Sequence, residues 1–177
     1  MVFGLLLYAC NVRELVPHEL MLTVNDFPPG WSHDKLIDIP KVAGADARRD
    51  SFHYGQGKYW LVTGHQLVVY SDTASAIAAF PIWEKEWYPE VGDWRQPSAA
   101  TFVPSNPKDH YRLGCTQVVL DIGDVTSCLF LQQHGRLISL ITANLDPQAM
   151  TLEQFEMALA RLDLRFQSWD PTARSTP

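Results

Sequence analysis

Apolar positions recur along this chain in two rhythms: alternate residues where it reads as strand, and every third or fourth residue where it reads as helix. The alternating rhythm dominates between His110 and Leu145. Tyr111 to Ile122, Val125 to Gln133 and Leu137 to Ala143 are rich in Val, Ile, Leu, Phe and Tyr, with turn residues Gly123-Asp124 and His134-Gly135 between them. This predicts a sheet meander. Cys128, Phe130, Ile138 and Leu140 are expected on one face, and Leu129, Leu131, Leu137 and Ile141 on the other. Both faces are then apolar, and both need a cover.

Upstream, Ser51 to Gly55 and Lys58 to Ser71 read as a hairpin around Gln56-Gly57. Trp60, Val62, Val68 and Tyr70 alternate with Tyr59, Leu61, Leu67 and Val69, while Gly64 marks a bulge or a close backbone approach. Lys35 to Ile39 reads as a short strand, and Pro40 to Asp50, with mixed charge and Gly44, as an exposed loop. Before it, Thr23 and Asp26 have capping-box spacing for a single turn. Phe27-Pro28-Pro29-Gly30-Trp31 then excludes helix and places Trp31 as a core anchor at the entrance to the first strand.

The helical rhythm appears twice. Ser71-Asp72-Thr73 supplies cap chemistry for a helix through Tyr88, with Ile77, Phe80, Trp83 or Glu84, and Trp87 as its stripe and Pro81 as an expected kink or split. Met150 to Trp169 is the second, with a capping box at Thr151 and Gln154 and a stripe of Leu152, Phe155, Leu159, Leu162 and Phe166. Pro89 to Asp109 has no usable period and forms the one long loop, pinned by Trp94 and Phe102 across the sheet or a helix. The predicted class is α+β, an antiparallel sheet of about five to six strands covered by helices on both faces. Residues 11–170 form a single domain, 1–10 the remnant of a lipoprotein signal, and 171–177 a frayed tail.

Composition narrows the function classes. The 177 residues are 46% hydrophobic and 19% charged, with a net charge of −6 and scattered basic residues, so nucleic acid is not an expected partner. No window approaches the roughly 18 uninterrupted apolar residues of a spanning helix. The six histidines never form a spaced metal-binding pair, and the isolated glycines match neither a phosphate loop nor a dinucleotide fingerprint. There is no nucleophile elbow. Asp121 and Asp124 bracket a turn, where their carboxylates bond their own backbone. The expectation is therefore no catalytic residue, no cofactor and no metal. A ligand or partner surface, if one exists, is expected where the long loop meets the sheet, at Trp94, Arg95, His110 and Tyr111.

The uncharged start of the chain ends in Leu7-Tyr8-Ala9-Cys10, which resembles a bacterial lipobox and makes Cys10 the candidate lipidation site. Lipid on Cys10 leaves an even pair, Cys115 and Cys128, suited to a disulfide in an exported domain. Two registers remain open for that pair. A two-residue turn at Gly123-Asp124 puts Cys115 opposite Gln132 and the thiols about 13 Å apart along the strand, whereas a loop of Leu120 to Gly123 pairs Val119 with Asp124 and sets the cysteines face to face. The bridge is the favoured expectation, because of the lipobox-like start.

The order of elements, together with Asp26 to Trp31, the two cysteines and Leu152 to Asp163, resembles a group of small bacterial lipoproteins. Their outline is similar to the PsbP-like α+β sandwich and to extracytoplasmic sensor domains of receptor kinases. The resemblance implies a non-enzymatic, extracytoplasmic, membrane-anchored domain with an accessory, sensing or binding role toward a protein or small ligand. The competing expectation is a cytosolic α+β enzyme or adaptor with Cys10 buried in its first element.

Overall fold

The computed structural model describes residues 16–42, 45–56, 60–88 and 93–169. Its core is an antiparallel sheet of β1 (Trp31–Val42), β2 (Ala45–Tyr54), β3 (Leu61–Val69), β4 (His110–Leu120), β5 (Gly123–His134) and β6 (Leu137–Leu145). Their order is β1-β2-β3-β6-β5-β4, so two three-stranded meanders meet at β3 and β6. The helices are α1 (Thr73–Trp87), between the meanders, and α2 (Leu152–Ser168), after the second. This is the α+β, antiparallel class that the patterning predicts.

Two apolar clusters lie on strand residues of opposite parity. Phe155, Leu159, Leu162 and Phe166 of α2 join Phe52, Leu67, Cys128, Phe130, Leu137 and Ile141. Ala76, Phe80 and Trp83 of α1 join Val68, Leu129, Leu131, Ile138 and Leu140. The expected grouping of Cys128 and Phe130 with Ile138 and Leu140 is therefore corrected. Two residues, Gly135 and Arg136, separate the paired His134 and Leu137, so even positions of β5 face the same way as odd positions of β6. Gly135 takes the left-handed conformation this tight turn needs, with φ at 52°.

The expected loop from Pro40 to Asp50 is strand at 40–42 and 45–50. β1 runs through Pro40, and Ala45 to Tyr54 form β2, paired on both sides with Ala47, Phe52 and Asp50 buried. Pairing with β3 outweighs the weak strand propensity of Ala, Asp and Arg. Pro40 is tolerated because β1 is an outer strand, and the register there is irregular between Ile39 and Val42. Gly64 stays in register, and its role is close approach: a Cβ there would come within 3.0 Å of Thr142 Oγ1 on β6.

Asp72 caps α1 by accepting from the Ser75 amide at 2.7 Å. The helix then runs unbroken past Pro81, so of the expected kink or split the split does not occur. Its buried stripe keeps the expected Phe80 and Trp83 but takes Ala76 in place of Ile77, a small rotation that leaves Ile77 pointing outward. Trp83 sets that rotation, because its indole N–H donates to the Tyr70 hydroxyl at 2.9 Å beneath the helix.

Both caps of α2 form as spaced, Thr151 accepting from the Gln154 amide and Gln154 from the Thr151 amide. Its polar side holds two other segments in place. Arg165 bonds the Met21 carbonyl at 2.8 Å and the Asp26 carboxylate at 2.6 Å, gripping the capped turn at Thr23 to Asp26. Glu156 accepts the backbone amides of Thr101 and Phe102, and Asp163 that of Ser105, so the long loop lies along α2; Asp163 also accepts the Gln132 side-chain amide from β5. These carboxylates stand seven residues apart, two turns along one helix face.

His65 ties the leading segment to the sheet centre. Its Nδ1 accepts from the Leu22 amide at 3.0 Å, which requires the tautomer whose Nε2–H donates to Ser139 Oγ at 3.1 Å. Burial, with the Arg165 cation adding to it against the opposing Asp26 carboxylate, pushes this imidazole down from 6.5 to about 3. The unfolded chain therefore takes up a proton that the fold refuses, so this stability is complete above pH 6.5 and is lost on acidification toward pH 3. Between pH 7 and pH 5 the loss is expected to be about 2 kcal/mol, read from urea unfolding, and His65→Gln should flatten that slope. An equally steep slope in the variant would assign the acid sensitivity elsewhere.

Candidate functional site

Cys115 and Cys128 pair directly across β4 and β5, with Val119 opposite Asp124, the face-to-face register of the two that the sequence left open. The chain reverses at Asp121 and Ile122 rather than at Gly123-Asp124. The sulfurs are bonded, 1.99 Å apart, with the Cα atoms 4.1 Å apart. A backbone detail explains why the thiols meet. Cys115 donates its N–H to the Arg95 carbonyl at 2.8 Å and accepts the Arg95 N–H at 3.0 Å, so its polar backbone groups turn away from β5. Cys115 and Cys128 are thus a non-hydrogen-bonded pair, the closer of the two antiparallel pair types.

Arg95 belongs to a short segment, 93–97, laid against the outer edge of β4. Trp94 holds it by meeting Tyr88 edge-on, ring centroids 5.7 Å apart. Tyr88 lies flush on Gly114, where a Cβ would come within 2.7 Å of its ring. The Tyr88 hydroxyl sits against the carbonyls of Arg112 and Leu129, and burial raises its pKa. Pro97, lacking an N–H, cannot extend the pairing.

Between this segment, the disulfide and the turn before α2 lies a cavity of about 740 Å³. That is within the roughly 300–1,000 Å³ range of small-molecule sites. The disulfide, Leu145, Pro147, Met150 and Leu152 give it an apolar interior, with Thr116, Gln117, Thr126 and Thr151 as uncharged polar groups and Asp93, Arg95 and Asp146 as charged ones. The Asp93 and Arg95 side chains pair with each other at 2.5 Å. The turn is tightly made: the Ala149 and Met150 amides donate to the Asp146 carbonyl at 2.9 and 2.8 Å. Its chemistry suits an uncharged, mostly apolar small molecule.

The four residues expected as a ligand surface do not converge. Arg95 lines the cavity. Trp94 packs with Tyr88 in the cluster of α1, and His110 faces Phe80 of that helix at 5.7 Å. Tyr111 is on the opposite side, 6.4 Å from Phe130. Cys10 lies outside the described residues, and among those no group of His, Cys, Asp and Glu could hold a metal ion. The residues that do line the cavity come from four separate stretches that only the folded sheet brings together. The one local signal was the cysteine pair.

Comparison with protein families, with curated proteins and with solved structures finds no match to this chain.

Closing a loop between positions 13 apart in sequence stabilises the fold by about 3 kcal/mol in the chain-entropy account. Reductant should lower the urea midpoint accordingly, and Cys115→Ala/Cys128→Ala should reproduce the lower value without reductant. A midpoint indifferent to reductant would mean that the bond is not made in solution.

Proposed function

We propose that this chain is a non-enzymatic binding domain that works outside the reducing cytosol, carried on a membrane by lipid at Cys10. The observation that carries the reading is the disulfide set in the wall of an apolar cavity. Disulfides persist where thiols are not kept reduced, which favours an exported location, and a partly open, mostly apolar cavity with a few polar groups suits capture of a small molecule. The lipobox-like Leu7-Tyr8-Ala9-Cys10 supports the anchor, since two or three acyl chains on one cysteine attach durably where one attaches only marginally. An accessory or sensing role follows from binding without turnover.

Both halves are testable. Expressed from its native start in a lipoprotein-processing bacterium, the protein should incorporate an alkyne fatty acid, and Cys10→Ser should abolish the label. An unlabelled wild type would remove the anchor. For the cavity, the uncharged dye N-phenyl-1-naphthylamine should bind with enhanced fluorescence, and Thr126→Trp, which fills the space, should weaken binding at least about fivefold. Equal binding by wild type and variant would remove the cavity from the proposal.

A further inference from the structure

We propose a second binding site, for an uncharged sugar unit of an oligosaccharide, in the open cavity of about 490 Å³ that Trp60, His53, Gln56, Ser32 and Gln148 line beside Gly30. The inference begins with Trp60. Its indole lies parallel to the His53 imidazole, centroids 4.2 Å apart and planes within 9°, and yet the residue is 44% exposed. Stacking covers one face of the indole and fixes its tilt, leaving a flat apolar plate toward solvent. Such a plate fits the C–H face of a pyranose ring, which is apolar while its edge carries hydroxyls.

The polar groups around the plate match that edge. Two amides and a hydroxyl can each give or receive a hydrogen bond, as a sugar hydroxyl requires of its partners. The His53 imidazole serves the stack instead, its Nδ1 being enclosed. Among the described residues the lining contains no Asp, Glu, Lys or Arg. With a net charge of −6 on the chain, a nucleotide phosphate would meet repulsion, and no described residue of the lining supplies a cation.

The site is held by the core rather than by loops alone. Tyr54 lies against Trp31 at 5.9 Å and over Gly30, where a Cβ would come within 2.7 Å of the Tyr54 ring. Trp31 donates its indole N–H to the Ala149 carbonyl at 3.2 Å, and the same turn presents Gln148. Gln148 is therefore tied to the start of β1 through Trp31, while the plate is held on β2 by its stack with His53.

The test is calorimetric titration of the full chain with three neutral tetrasaccharides, the N-acetylglucosamine tetramer, maltotetraose and cellotetraose, with adenosine monophosphate as comparator. At least one sugar should bind saturably at about millimolar affinity or better, and more tightly than the nucleotide. Trp60→Ala should weaken that binding at least about tenfold and Gln148→Ala about fivefold, while Trp60→Phe keeps most of it. The half-exposed position makes Trp60→Ala a surface change, and an unchanged melting curve verifies this. If that variant does not fold, Gln148→Ala alone decides. No sugar binding up to about 10 mM, undiminished binding in the folded variants, or tighter binding of the nucleotide would each overturn the proposal.

Discussion

A sheet that is apolar on both faces is stable in water only when both faces are covered, and here each cover has to be tied down by polar groups. Apolar contact is strong but non-directional. Orientation comes instead from bonds that α2 and the sheet make to segments with little regular structure. Arg165 grips the turn around Asp26, Glu156 and Asp163 grip the long loop, and His65 grips the Leu22 amide from the sheet interior. Where a carboxylate or imidazole is buried in this set, it is hydrogen-bonded, the condition on which a polar group is tolerated inside a fold.

How much of this was legible depends on whether the determining contacts are local. The capping boxes at Thr23 and Thr151 and the stripe of α2 are set by residues a few positions apart, and they form as spaced. The meander strands are equally plain. The second half of β2 was read as one arm of a hairpin, but its first half, 45–50, was invisible because its polar, Ala-containing sequence becomes strand only by lying between two others. In α1, Phe80 and Trp83 were read correctly and only the first position of the stripe was missed, since the choice between Ala76 and Ile77 belongs to Tyr70 and the sheet beneath. Sequence spacing permitted both cysteine registers, and the turn at Asp121-Ile122 selects one.

The candidate cavity was less legible still. Its charged corner, Arg95, was expected near a ligand, while Trp94, His110 and Tyr111 were grouped with it only by position along the chain. Adjacent strand residues point to opposite faces, so His110 and Tyr111 were bound to separate once β4 formed. Aromatic residues in this protein act chiefly as anchors. Trp31, Trp83 and Trp94 are fixed to neighbouring rings or polar groups, Trp94 beside the larger cavity and Trp31 beside the smaller one.

The meeting of the two meanders has a kinetic consequence. Each meander pairs strands adjacent in sequence, and the disulfide links residues only 13 positions apart inside one of them. The β3 and β6 partners, such as Gln66 and Leu140, are instead separated by α1, the long loop and two strands. Closing that span costs far more chain entropy than any turn within a meander, and no covalent bond shares the cost. The halves can therefore organise early and independently, and the seam between β3 and β6 governs how fast the whole sheet assembles.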